Sequence, residues 1–211
     1  MGSQGRNWNS KKVIELRKNL KFSKFQKDVL VGKILGDASL VATITGKSYR
    51  LQVEQGIRQE KYVFWLAEIF QKWIISQPKF MKKHNSYRFR TISHPQISEF
   101  RKIFYPNRKK IIPSDINKLL NHPIGLAVWF MDDGGLSTSG RAITISTHSF
   151  TKTENNLLIE CLNANFGLKV NLNWDGKGFR LYFPVKEIPK FRKIVSSYIL
   201  PEMKYKIPLT P

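Results

Sequence analysis

The chain has 211 residues, 41% of them hydrophobic, which is enough for one large domain or two small ones around a packed core; no apolar run approaches the roughly 20 residues that cross a bilayer. Lys and Arg number 36 against 15 Asp and Glu, a net charge of +21. Such an excess repels itself unless a polyanion takes it up, so nucleic acid is the leading partner and a membrane surface a distant one. A single cysteine, Cys161, and 4 scattered histidines exclude an internal disulfide and a structural zinc finger.

In chain order, residues 1–10 lack an apolar core, so no secretory signal is expected and an intracellular location is. A helix is predicted over about 24–38, with Ser23 as a cap and Gln26 three residues on. Thr45-Gly46-Lys47 marks a turn, and Arg50-Leu-Gln-Val-Glu54 then alternates as a strand. Residues 60–75 read as one amphipathic helix carrying Tyr62, Trp65, Leu66 and Ile69. A second hairpin ends in Tyr87-Arg-Phe-Arg90, and a helix near 96–105 closes the half.

A second helix of the same kind is predicted at 123–133, with Pro123 suited to its first turn. Residues 142–146 alternate as a strand. Thr151-Lys-Thr-Glu154 is a capping box, and Gly167 suits the far end of that helix. Lys169–Trp174 alternates again, Asp175–Gly178 turns, and Phe179–Pro184 is a strand.

The halves match. Asp37 and Asp133 are as far apart in the chain as Lys110 and Lys206, and Phe100-Arg-Lys-Ile recurs as Phe191-Arg-Lys-Ile at a slightly shorter spacing. With Tyr87-Arg-Phe-Arg-Thr91, which reads like Phe179-Arg-Leu-Tyr-Phe183, these are four matched pairs in one order, and they make an internal repeat. The expected fold class is therefore α+β, two pseudo-symmetric αββαββα repeats with antiparallel sheets. The boundaries read as an N-terminal extension over 1–22, a first repeat over 23–113, a linker over 114–122 and a second repeat over 123–211.

On the strands, Leu51, Val53, Phe89, Ile143, Ile145 and Leu181 alternate with long polar side chains. The polar set is Arg50, Gln52, Glu54, Arg88, Arg90, Thr144, Ser146, His148, Arg180 and Tyr182. These donors, amides and hydroxyls suit base edges and phosphates, and a two-stranded ribbon fits a major groove. Gly32 and Gly36 share one helix face, where each costs about 1 kcal/mol relative to alanine, so close contact with another helix is expected. The matching helix of the other repeat is the natural partner. Asp37 and Asp133 would then emerge together beside Lys110 and Lys206. Carboxylates there suit a hard cation such as Mg²⁺ and metal-assisted phosphodiester hydrolysis.

The segments LVGKILGDA (Leu30–Ala38) and LAVWFMDDG (Leu126–Gly134) resemble the LAGLIDADG motif of homing endonucleases, in the single-chain, two-motif subgroup. The resemblance covers about residues 23–208. It implies saddle-shaped sheets over a long double-stranded DNA site, a central two-helix interface, a monomer, and double-strand cleavage across the minor groove. It implies metal ligation by Asp37 and Asp133 with the backbone carbonyls of Gly36 and Asp132, with Mn²⁺ or Ca²⁺ able to replace Mg²⁺ in binding. It also places Lys110 and Lys206 among the catalytic groups. The first motif departs at Lys33, usually apolar, and at Ala38 in place of the final Gly; the second has Val128 and Asp132 where small residues allow the closest helix contact, so a wider interface is expected on that side. An RNA-splicing maturase, or a catalytically silent DNA-binding protein on the same fold, is the alternative. The Lys, Asn and Ile content suits an AT-rich gene such as a mitochondrial intron of a fungus.

Overall fold

The computed structural model describes residues 11–208. The expectation about residues 1–10 lies outside the described residues. Among those residues, no helix is long and apolar enough to cross a membrane. The described residues form two compact units: one gathers residues 11–23 with 39–100, the other residues 24–38 with 101–208.

The chain opens with α1 (Lys11–Asn19) and α2 (Lys24–Leu35), followed by β1 (Ser39–Ala42) and β2 (Tyr49–Gly56). Then come α3 (Glu60–Ile69), β3 (Lys79–Met81), β4 (Ser86–Arg90) and α4 (Pro95–Phe104). A short α5 (Ile116–Leu119) leads to α6 (Pro123–Asp133), β5 (Gly134–Leu136), β6 (Ile143–Ser146), α7 (Lys152–Phe166), β7 (Asn171–Trp174), β8 (Phe179–Phe183) and α8 (Ile188–Val195). From α2 to α4 and again from α6 to α8 the order is αββαββα. The two antiparallel sheets share one topology, β1-β2-β4-β3 and β5-β6-β8-β7. The repeat is thus present in both sequence and strand order.

In the first unit, Gly46 turns the β1–β2 hairpin at φ 70°, a backbone conformation glycine reaches without strain. Leu51, Val53 and Phe89 lie buried, alternating with half-buried polar neighbours, as strand geometry requires. The predicted helix over 60–75 is shorter than expected. It ends at Ile69, and Gln71–Trp73 tightens into a 3-10 turn. That turn directs Trp73 onto Phe22, with ring centroids 3.7 Å apart and planes within 12°. Phe22 also donates its N–H to Gln96 Oε1 at 3.0 Å, so this stretch is packed into the unit's core. Burial of rings of this size contributes about 2–3 kcal/mol each, enough to override the helical spacing that continues past Ile69.

In the second unit, the helix boundaries follow local chemistry. Pro123 occupies the first turn of α6, and His122 caps it by accepting from the Ile124 N–H. Thr151 and Glu154 form a reciprocal capping box at the start of α7, and Gly167 ends it at φ 62°. Ile143, Ile145 and Leu181 are fully buried on the inner face of the second sheet. Phe130 of α6 meets Phe191 of α8 edge-on at 4.9 Å, which seats α8 under α6.

Candidate active site and nucleic-acid faces

Residues Val29–Leu35 of α2 and Ile124–Met131 of α6 are buried without interruption. A helix buried all round needs close neighbours on every side, and these two helices pack on each other within the second unit. Gly32 makes the approach possible: a Cβ there would lie 2.3 Å from the Gly125 carbonyl oxygen and 3.0 Å from Val128 Cβ. At Gly36 an added Cβ would meet Asp132 Oδ2 at 2.4 Å. The expected widening at Val128 and Asp132 does not occur. Each larger residue of α6 sits opposite a glycine of α2, so total volume across the seam stays small.

Lys33 explains the other departure. Its side chain is fully buried, and its ammonium donates to Asp132 Oδ1 at 2.7 Å and Oδ2 at 2.6 Å. Burial pushes the Asp132 carboxyl up from its usual range and Lys33 pulls it back. Spacing alone does not reveal this pair, because its members lie far apart in the chain and each looks like a substitution error when read singly.

The two helices deliver the acids to one place. Asp133 is the last residue of α6, whereas Asp37 lies in the turn just past α2 rather than ending it. The carboxylates are close enough to repel. Burial, then the negative charges of Asp37 and Asp132, raise Asp133 to about 7, against the opposing pull of Lys110 and Lys33. The two lysines sit at equivalent stations. Lys110 Nζ donates to the carbonyls of Ile34, Leu35 and Gly36 at 2.9, 3.0 and 2.8 Å. Lys206 Nζ donates to the Asp132 carbonyl at 3.1 Å and also to that of Met131. Each ammonium therefore caps the carbonyl end of its own repeat's motif helix, where the helix dipole favours a cation. Burial lowers the pKa of both lysines, and the carboxylates of Asp37, Asp132 and Asp133 resist that shift.

The segment following Lys110 is tied to the capping box of α7. Glu154 Oε2 accepts from the Thr151 N–H at 2.7 Å, while Oε1 accepts from the Ile112 N–H at 3.1 Å, two residues past the lysine. The same side chain thus starts a helix and anchors the extended segment just past Lys110.

The donor set suits a hard cation: carboxylate oxygens at Asp37 and Asp133 beside the carbonyls of Gly36 and Asp132, which already attract an ammonium. Among the described residues no group of three or more His, Cys, Asp or Glu converges in ligating geometry. A bound Mg²⁺ keeps several waters and uses one or two carboxylates plus substrate phosphates, so a sparse protein shell fits it.

On the polar faces of the sheets, Arg50, Gln52, Glu54, Arg88, Arg90, Thr144, Ser146, His148, Arg180 and Tyr182 are all half-buried. They are not loose. In the first unit Gln52 lies opposite Arg90 in the register and accepts from its Nε at 2.5 Å. Glu54 lies opposite Arg88 and accepts from Ser86 Oγ at 2.7 Å, with His84 Nδ1 at 2.8 Å. Burial would raise the Glu54 carboxyl, but Ser86, His84 and Arg88 together hold it below its usual range. In the second unit His148 bridges Ser146 Oγ at 2.8 Å and Asp175 Oδ2 at 2.9 Å, and Arg180 pairs with the same Asp175 oxygen. The Lys177 N–H, His148 and Arg180 hold Asp175 down to about 2. Asp175, His84 and Ser86 are not marked by strand alternation, since turns and strand ends carry them. The Asp-Gly turn signal is the one feature that brings Asp175 to notice.

Comparison with known proteins agrees with this geometry. A probable intron-encoded endonuclease of Wickerhamomyces canadensis is 32% identical over 94% of this chain and 91% of its own length. A cytochrome b mRNA maturase, bI2, of Debaryomyces hansenii is 29% identical over 85% of this chain and 72% of its own. Among solved structures, the homing endonuclease I-WcaI bound to its DNA recognition sequence superposes with a TM-score of 0.87 at 30% identity, covering 99% of this chain and 96% of that one. The family model described as LAGLIDADG DNA endonuclease matches residues 27–191, which takes in both motif helices and both sheets, and the chain belongs to that family.

Proposed function

We propose that this site-specific DNA endonuclease hydrolyses one phosphodiester in each strand of a long duplex site, acting as a monomer with one acidic centre per repeat. The observation that carries the reading is the charge-coupled pair of Asp133, which ends α6, and Asp37, just past α2, each beside a lysine that donates to the neighbouring backbone carbonyls. Asp37 with the Gly36 carbonyl, and Asp133 with the Asp132 carbonyl, would hold a divalent cation, for which Mg²⁺ is the proposed physiological ion. Such a cation supplies Lewis acidity, activating water and offsetting charge on the phosphate. Lys110 and Lys206 add fixed positive charge where the phosphate gains negative charge. The half-buried arginines, amides and hydroxyls of the two sheets are proposed to contact bases and phosphates, pre-aimed by Glu54, His84 and Asp175.

The test is selection of cleaved sequences from a randomised duplex library with Mg²⁺. One recovered site, cut on both strands and uncut in EDTA, is expected; recovery of no site would refute the reading. The maturase relative supports one second reading, RNA-splicing assistance, which a splicing assay on the host intron separates. The named relatives support an intron-encoded origin, and for a fungal host a mitochondrial one.

A further inference from the structure

The buried pair of Lys33 and Asp132 is not accounted for by stability. Two apolar side chains of similar volume would serve the helix seam as well, because removing two charges from water costs about as much as their attraction returns. The carboxylate has a further contact. Its Oδ2 accepts the Asp37 N–H at 3.0 Å, while Oδ1 and Oδ2 both accept from Lys33. On either side of Asp37 the backbone is occupied locally, Gly36 N–H to the Gly32 carbonyl and Ala38 N–H to the Lys33 carbonyl. The intervening N–H is the one that reaches across to the other motif helix.

The other motif has no such arrangement. The position equivalent to Asp132 is Gly36, which has no side chain to offer. Asp133 is still inside its helix, whereas Asp37 has left it. The two acidic centres are therefore built differently: one acid is held by helix geometry, the other by a side chain from its partner helix.

We propose that Asp132, held in place by Lys33, is a positioning residue for Asp37, and that it sets the cutting rate of one DNA strand relative to the other. This rests on the reading of Asp37 as a cation-binding group. Both carboxylate oxygens of Asp132 are taken up by Lys33 and the Asp37 N–H, so this side chain acts through Asp37 and not as a ligand itself.

The test compares K33M/D132L with K33M/D132N in the full chain. Both remove the two buried charges, but only asparagine keeps an oxygen acceptor for the Asp37 N–H. In the metal-free protein, hydrogen exchange at the Asp37 amide is expected to rise about tenfold or more in the leucine variant and to return close to the parent value in the asparagine variant. On a duplex labelled on both strands, with Mg²⁺, the ratio of the two nicking rates is expected to shift about tenfold in the leucine variant and to be restored by asparagine. Equal slowing of both strands, an unchanged ratio, or no rescue by asparagine overturns the proposal. Should the leucine variant not fold, K33M/D132A replaces it with the same expectations. D37N run alongside separates the two levels. If D37N cuts as the parent does, the role of Asp37 itself fails; if D37N is inactive and the ratio is unmoved, only the positioning role fails.

Discussion

Asp133 ends α6 in surroundings that do not welcome its charge. Burial, and the nearby carboxylates of Asp37 and Asp132, lift it to about 7 despite Lys110 and Lys33. A proton and a cation then compete for the same oxygens, so metal-dependent cleavage should fall as pH drops below about 7. For stability the sign is set by the raised folded-state pKa. The group favours folding below the free-carboxylate range, and that contribution is lost as pH rises through 7. Asp133→Asn should accordingly stabilise the metal-free protein at pH 8, by roughly 2–4 kcal/mol at about 1.4 kcal/mol per pKa unit, and by less at pH 5. Denaturant unfolding at the two pH values checks this, and a variant less stable at pH 8 would contradict it. Lys110→Met and Lys206→Met keep chain length but remove the charge. Each should slow nicking about 100-fold or more, in line with the loss of one preorganised charge-stabilising group, while DNA affinity measured in Ca²⁺ changes little.

At the level of elements, the seam between α2 and α6 has no slack. A Cβ at Gly32 would press on backbone at Gly125, which cannot move aside as a side chain tip can. Gly32→Ala should therefore cost about 1–3 kcal/mol despite alanine's better helix propensity, read from unfolding curves. Glu154→Ala should cost about 1–2 kcal/mol through the lost cap, and should also reduce cleavage because Ile112, and with it Lys110, loses an anchor.

The elements also show what a sequence can disclose. Pro123, the Thr151–Glu154 box and Gly167 act within a few residues of themselves, and the helices begin and end where they say. Alternation along β2, β4, β6 and β8 assigns inner and outer faces correctly because side chains of a strand must alternate. Residues 60–75 mislead because helical spacing persists through Trp73, while the stacking partner that ends the helix, Phe22, lies far upstream. That Asp37, Asp133, Lys110 and Lys206 come together is legible through their double occurrence. The Lys33–Asp132 pair is not, because nothing local records that two distant exceptions to a pattern satisfy each other.

For the molecule as a whole, a charge of +21 needs a polyanion, and the outer sheet faces carry arginines held ready rather than free. Log affinity for DNA should fall with log salt at about −0.9 per phosphate neutralised, measured by titration in Ca²⁺; a flat response would contradict phosphate contacts from these sheet faces. Arg88→Ala or Arg180→Ala should weaken specific binding by about 1–3 kcal/mol and relax base preference at the position each contacts. The proposed function therefore rests on two separable properties, recognition by the polar sheet faces and chemistry at the acids Asp37 and Asp133. The measurement that separates them most directly is cleavage and binding of one cognate duplex by Asp37→Asn and by Asp133→Asn. Each variant should bind the duplex within a few-fold of the parent and fail to produce a double-strand break in Mg²⁺. Full double-strand cleavage by either variant would contradict the assignment of the two carboxylates.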